Sequence, residues 1–303
     1  MQRRKKIKIR HWQLTLMVLP AILYFFVFSY LPMVGLAMAF QKYTYTKGIF
    51  SDFVGLDNFK FLFVSGDVVR ITRNTILYNL AFIVVNLVLQ LVCAIAISEF
   101  TSRRFEKVTQ SMMFLPYFLS WVVVSAIAYN IFNYEYGLLN NILKSLKQEP
   151  INVYMKTAWW PVIIVLFNTW KSLGYGVIIY VAAIMGIDQE LYEAAKIDGA
   201  NVVQRITNIT LPMLRSTIVT LLLLNISRAV RGDFNMFFNL VGNNSFLYSK
   251  TDIIETYVYR ALIHTGDVGM GAAASFYQSV IGFVLIITVN GIIKKLQPDY
   301  ALF

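Results

Sequence analysis

Asn168 and Lys171 stand one helical turn apart in an otherwise apolar run, with Tyr175 a turn further on, while Asn225 and Gln278 lie at comparable depth in two later runs. An amide or ammonium group is costly in hydrocarbon, so such residues in a membrane helix face a bundle interior or a water-filled cavity. There they bond helix to helix, a role Asn and Gln fill well, or they hydrogen-bond a polar solute in passage. Lys171 is harder to explain as interhelical glue, although its stem lets it snorkel or reach a partner chain. Trp170 and Tyr175 add ring faces for stacking, with the reservation that Lys171, next to Trp170, points about 100° away around the helix. This chemistry is weak recognition and makes or breaks no bond. The two histidines, His11 and His264, are expected on opposite sides of a membrane and share no site, and the acidic residues are largely in loops. An intramembrane protease or a proton-coupled carrier therefore lacks its usual buried groups. Cys93 is the single cysteine, which excludes an intrachain disulfide and any cysteine pair for metal or redox work.

The elements that hold these residues follow from composition. With 57% hydrophobic and 14% charged residues over 303 positions, the chain has too little polar surface to cover a water-soluble globule. The expected fold is all-α and polytopic. Runs long enough to cross the bilayer occur at 14–40, 76–98, 111–133, 159–186, 213–236 and 269–293, giving six transmembrane helices. Asn225, Arg228, Arg231 and Asp233 crowd the end of the fifth, which leaves its boundary open. MQRRKKIKIR followed by Ala37-Met38-Ala39 also has the form of a secretory signal, but the apolar run is too long for that and reads as an uncleaved first helix. The net charge of +11 is explained by Lys and Arg retained in cytoplasmic loops, with no nucleic acid as partner.

Orientation comes from those charges. With the N-terminus inside, segments 1–13, 99–110, 187–215 and 294–303 carry 14 basic residues, and the longer outer segments 41–75, 134–158 and 228–268 carry 12. The positive-inside bias places both termini in the cytoplasm. Tyr134, Tyr136, Trp159 and Trp160 are expected at the outer interface as an aromatic belt. The organisation is thus a basic cytoplasmic N-terminus (1–13), a six-helix membrane domain (14–293, with core helices from about 76 to 293) and a cytoplasmic C-terminus (294–303).

The segment 188–212 is polar enough for water. Asp188 is a good N-cap, Leu191, Ala194 and Ala195 form a narrow apolar face, and Gly199 supplies a left-handed residue to end the helix. Asn201 caps a second helix with Val202, Val203, Ile206 and Ile209 at helical spacing, and Pro212 suits the first turn of the next membrane helix. Two short helices with a sharp bend at glycine are expected, each about 15 Å long if about ten residues.

The full pattern, Glu193-Ala194-Ala195, then Gly199, Ile209 and Leu211-Pro212, resembles the EAA loop of the inner-membrane permease subunits of binding-protein-dependent ABC importers. LPAILYFFVFSYLPMVGLAMAF (19–40), FVGLDNFKFLF (53–63), RNTILYN (73–79), FLPYFLSWVVV (114–124), GLLNNIL (137–143) and VAAIMGIDQELYEAAKIDGA (181–200) extend the likeness over nearly the whole chain and look like the sugar-permease branch. FLPYFLSWVVV is most similar to permeases of oligosaccharides and polysaccharide fragments. The resemblance implies the type I importer permease fold with cytoplasmic coupling helices, in a bacterial plasma membrane. It implies a second, related permease, expected as a heterodimer partner, two ATPase subunits that bind ATP and Mg, and an external binding protein that delivers sugar to outer loops 134–158 and 229–268. No G-x-x-x-x-G-K-[ST] is present in the sequence, so hydrolysis falls to the separate ATPase and this chain binds no cofactor. Glu193, Ala194, Ala195, Gly199, Ile209, Leu211 and Pro212 would couple to the ATPase, Glu193 facing a basic residue of it. Nucleotide closure of the ATPase would then pull the loop and swing the spans from inward-open to outward-open. Asn168, Trp170, Lys171, Tyr175, Asn225 and Gln278 would line the sugar path. A secondary carrier, or an importer permease for a solute other than sugar, is the alternative; an inverted repeat would favour the carrier, and none is visible.

Overall fold

The computed structural model describes residues 12–64, 66–100, 102–226 and 230–296; most of the two expected cytoplasmic termini, with His11, and Arg228 lie outside them. In chain order the principal helices are α1 (Trp12–Phe25), continued by a π turn (Phe26–Tyr30) and a 3₁₀ segment (Leu31–Phe40), α2 (Asp67–Ser98), α3 (Arg103–Phe114), α4 (Trp121–Phe132), α5 (Leu138–Ser145), α6 (Trp160–Met185), α7 (Gln189–Ile197), α8 (Val202–Arg205), α9 (Leu211–Ile226), α10 (Phe234–Val241), α11 (Ile254–Thr265) and α12 (Val268–Leu296). Among the described residues five helices are long and apolar enough to span a membrane, or six if the bent pair of α3 and α4 counts as one span.

The chain divides into two compact units. The first comprises residues 1–64 and 261–277. Its long N-terminal helix buries none of its most apolar window, as a helix facing lipid would. A short antiparallel ladder pairs Gln41 with Phe53 and Lys42 with Asp52. Asn58 Nδ2 donates to the carbonyls of Ala39 and Gln41 at 3.0 and 2.8 Å, and Phe40, Phe59 and Phe276 pack their rings together.

The second unit, residues 65–260 and 278–303, holds the candidate site. Its spans differ from the sequence expectation in four ways. The second span begins at Asp67, because Asp67 pairs with Arg70 at 2.9 Å and buried Asn74 bonds the Asp252 carbonyl, so polar residues extend the helix beyond the apolar run. The expected span 111–133 is broken by 100° between Phe118 and Trp121. Pro116 opens a 3₁₀ turn there, and Ser120 caps α4 by accepting from Val123 N–H at 3.3 Å. The fifth span is described as far as Ile226, and within the range expected for it Asp233 caps a separate helix, α10, whose Met236, Phe237, Leu240 and Val241 are buried. Trp160 is fully buried and donates Nε1–H to the Val153 carbonyl at 3.1 Å; it is core, while Tyr134, Tyr136 and Trp159 remain exposed.

Two glycines set the spacing of this unit. A Cβ on Gly174 would lie 2.1 Å from the Met113 carbonyl oxygen, and one on Gly176 would lie 2.0 Å from the Gln90 side chain. The first neighbour is backbone and cannot rotate away. Gly174→Ala is therefore expected to destabilise the protein by about 1–3 kcal/mol, as overpacking does; an unchanged unfolding temperature in detergent would contradict this close approach of α6 to α3.

Candidate functional site: a coupling loop and an amide-lined cavity

The loop at 188–212 forms as its sequence directs. Asp188 caps α7 by accepting from Glu190 N–H at 3.0 Å. Gly199 adopts φ +79, and the helix closes with bonds from Ala200 N–H to the Ala195 carbonyl and from Gly199 N–H to the Lys196 carbonyl, the 6→1 and 5→2 pair of a Schellman end. Asn201 and Gln204 make a reciprocal capping box at 2.9 and 2.8 Å. One expectation fails: Pro212 does not open a new helix. Residues 202–226 form one continuous helix, with a π turn at Ile206–Thr210. Proline removes a hydrogen bond and crowds the carbonyl four residues back, and the wider turn accommodates both. The second short helix of the loop is thereby continuous with the fifth span. Arg205 pairs with Glu99 at the end of α2 at 3.3 Å, and the Tyr192 and Thr210 hydroxyls meet at 3.0 Å. Glu193, Ala194 and Gly199 are exposed, Ala195 and Ile209 are half-buried, and Leu211 and Pro212 are exposed at the start of α9. Ile197 is 87% exposed and Val203 67%, apolar surface that a lone soluble loop would hide.

Of the six residues expected on a solute path, three come together. Asn168, Tyr175 and Asn225 line a cavity of about 280 Å³ between α2, α6 and α9, and Asn79, Asn86, Gln90 and Ser172 line it with them. Asn86 Nδ2 donates to Asn168 Oδ1 at 3.1 Å, the Ser172 hydroxyl faces the Asn168 carbonyl at 2.6 Å, and Gln90 Nε2 donates to the Ser172 carbonyl at 3.3 Å. Lys171 lies beside this cavity, donating to the Tyr117 carbonyl at 2.7 Å. Gln278 does not join it. Its amide donates to the Val230 carbonyl at 2.7 Å and to Glu255. Burial raises the Glu255 carboxyl above its usual range, against the lowering pull of hydrogen bonds from Gln278 and Gly232 and of nearby Arg231. Trp170, two residues from Asn168, faces away into an apolar groove of about 880 Å³ with Val85, Leu89 and Leu166. The α2 residues Asn79, Asn86 and Gln90 were missed by the sequence reading, although polar groups inside a span are the signal that found Asn168.

Membrane-crossing helices around an amide-lined cavity, with an exposed helical loop continuous with one span, define a membrane permease, a transport subunit. The chain belongs to the family of inner membrane components of binding-protein-dependent transport systems, which it matches over residues 87–300. Protein LplB of Bacillus subtilis strain 168 is 35% identical over 94% of this chain and 90% of its own. The polygalacturonan/rhamnogalacturonan transport system permease protein YteP of the same organism is 32% identical, covering 98% and 94%. A solved bacterial ABC transporter involved in import of the acidic polysaccharide alginate has a chain that superposes with a TM-score of 0.85 at 30% identity, covering 95% of this chain and 97% of that one. This is the type I importer permease fold.

Proposed function

We propose that this chain is one of two related permeases in an ATP-driven importer that carries an oligosaccharide, handed over by an external binding protein, into the cytoplasm of a bacterium. The observation that carries the reading is the cavity of Asn, Gln and Ser side chains sunk between apolar helices. Amides and hydroxyls recognise polyhydroxylated solutes, and hydrocarbon tolerates them only where they are paired or wet. The names of the relatives support a saccharide cargo. The loop centred on Gly199 docks the ATPase, where ATP and Mg reside, and the continuous helix 202–226 transmits nucleotide-driven closure to the fifth span. Asn168, Tyr175 and Asn225, with the newly found α2 amides, form the transient sugar site; Trp170 and Gln278 serve other packing. A thermal-shift panel of oligosaccharides on the cognate binding protein tests the cargo: stabilisation by at least one is expected, and a response confined to amino acids or ions would overturn it.

Both termini and residues 188–212 are cytoplasmic in this reading. In a cysteine-free background (Cys93 replaced), single cysteines at Ser102, Asn141, Asn201 and Asn244 are expected to react with an impermeant thiol reagent from outside only at Asn141 and Asn244. External labelling at Asn201 in intact cells would defeat both the topology and the docking role.

A further inference from the structure

We propose that Lys171, Tyr117, Trp121 and Tyr175 form a subsite for a carboxylate-bearing sugar, so that the saccharide in passage contains uronate units; this rests on the carbohydrate reading above. The rings of Phe114, Tyr117 and Tyr175 lie nearly parallel, with centroids 5.5 and 5.0 Å apart and interplanar angles of 9° and 14°. The stack ends on Tyr175, which is half exposed and also lines the amide cavity, so the two features are contiguous. The break between α3 and α4 frees the Tyr117 carbonyl, and Lys171 gives it one of its three protons at 2.7 Å. The same ammonium stands 5.4 Å from the Tyr117 ring centroid and 5.5 Å from that of Trp121. Lys171 belongs to none of the ion pairs formed among the described residues.

Asp233 is the nearby acid and attracts the ammonium through space, but it stands beyond ion-pair distance, with Oδ1 accepting from Met236 N–H at 3.0 Å and Oδ2 from Trp121 Nε1–H at 2.7 Å. It positions Trp121 and leaves the remaining protons of Lys171 for another acceptor. A sugar carboxylate satisfies them while the pyranose ring lies against the aromatic residues. A neutral sugar leaves the ammonium with ring faces, one carbonyl and the more distant charge of Asp233. Because the resting partners of Lys171 are rings and a neutral oxygen, the carboxylate exchanges with weak contacts, and the bound sugar is released readily.

The test uses the purified complex of both permeases and the ATPases in nanodiscs, without the external binding protein, and measures saturation-transfer NMR titrations with trigalacturonate and with neutral galactotriose. Trigalacturonate is expected to bind about tenfold more tightly, the worth of one charge-assisted hydrogen bond. Lys171→Gln should erase that preference, Lys171→Arg should retain it, and salt should weaken it. Equal affinities in the wild type, or a preference that survives Lys171→Gln in assembled complex, would overturn the uronate subsite while leaving the sugar path intact. Absence of signal from both sugars would instead remove the carbohydrate reading and this proposal with it. Should Lys171→Gln fail to assemble, the wild-type comparison and its salt dependence decide.

Discussion

Glu193→Lys is expected to reduce uptake about a hundredfold while insertion into the membrane stays normal. Glu193 is exposed on α7 and takes part in no ion pair among the described residues, so within this chain the reversal disturbs little. Against the basic ATPase residue proposed to face it, the reversal converts an attraction into a like-charge contact, which costs several kcal/mol at an interface. Gly199→Leu tests the same loop through the backbone. No atom lies within 4 Å of a Cβ placed there, but φ is +79, and that conformation costs a non-glycine residue about 1–2 kcal/mol. The strain falls on the bend and not on the core, so folding should persist while the angle between α7 and α8 changes. Both variants should lose copurification with the ATPase and lose transport. Wild-type uptake together with wild-type ATPase recovery in both would remove the docking role.

Replacing Asn168 by Leu should lower uptake about tenfold, since the substitution both deletes a cavity amide and removes the acceptor of the half-buried Asn86 Nδ2–H at 3.1 Å; such a hydrogen bond contributes about 0.5–1.5 kcal/mol. Asn225→Ala, which opens the cavity, should alter which oligosaccharide is preferred more than it alters assembly. Gln278→Ala should behave differently. It removes the donor shared by the half-buried Glu255 carboxyl and the Val230 carbonyl, so the effect appears in thermal stability, with saccharide preference unchanged. Uptake assays with a mixed oligosaccharide pool, read beside the unfolding temperature, separate the three; a changed preference in Gln278→Ala with unchanged preference in Asn225→Ala would invert this assignment of the cavity.

The membrane class, most of the spans and the helix–glycine–helix form of the loop at 188–212 were legible in the amino-acid sequence because each depends on local rules. An apolar run of some twenty residues answers to the thickness of hydrocarbon. Asp188, Gly199 and Asn201 act within a few residues of themselves, and their caps form as their types direct. Where a local rule met an opposing neighbour, the sequence misled: Pro212 reads as a helix start, yet a π turn carries the helix through it, and Trp160 reads as an interfacial anchor, yet a carbonyl at Val153 completes its burial. Which polar residues share a cavity was decided only in the tertiary structure. Side chains turn by about 100° per residue along a helix, so Asn168, Trp170 and Lys171 must point in three directions, and only the docking of α6 on its neighbours says which direction is the cavity. Gly174 and Gly176 set that docking by admitting the Met113 backbone and the Gln90 side chain where a Cβ would stand. This turns Asn168 and Tyr175 toward Asn86 and Gln90 and leaves Trp170 on the apolar groove. Gln278 and Glu255 are joined across 23 positions of sequence, a pairing that no periodicity encodes, because it depends on where two helices meet and not on the spacing within either.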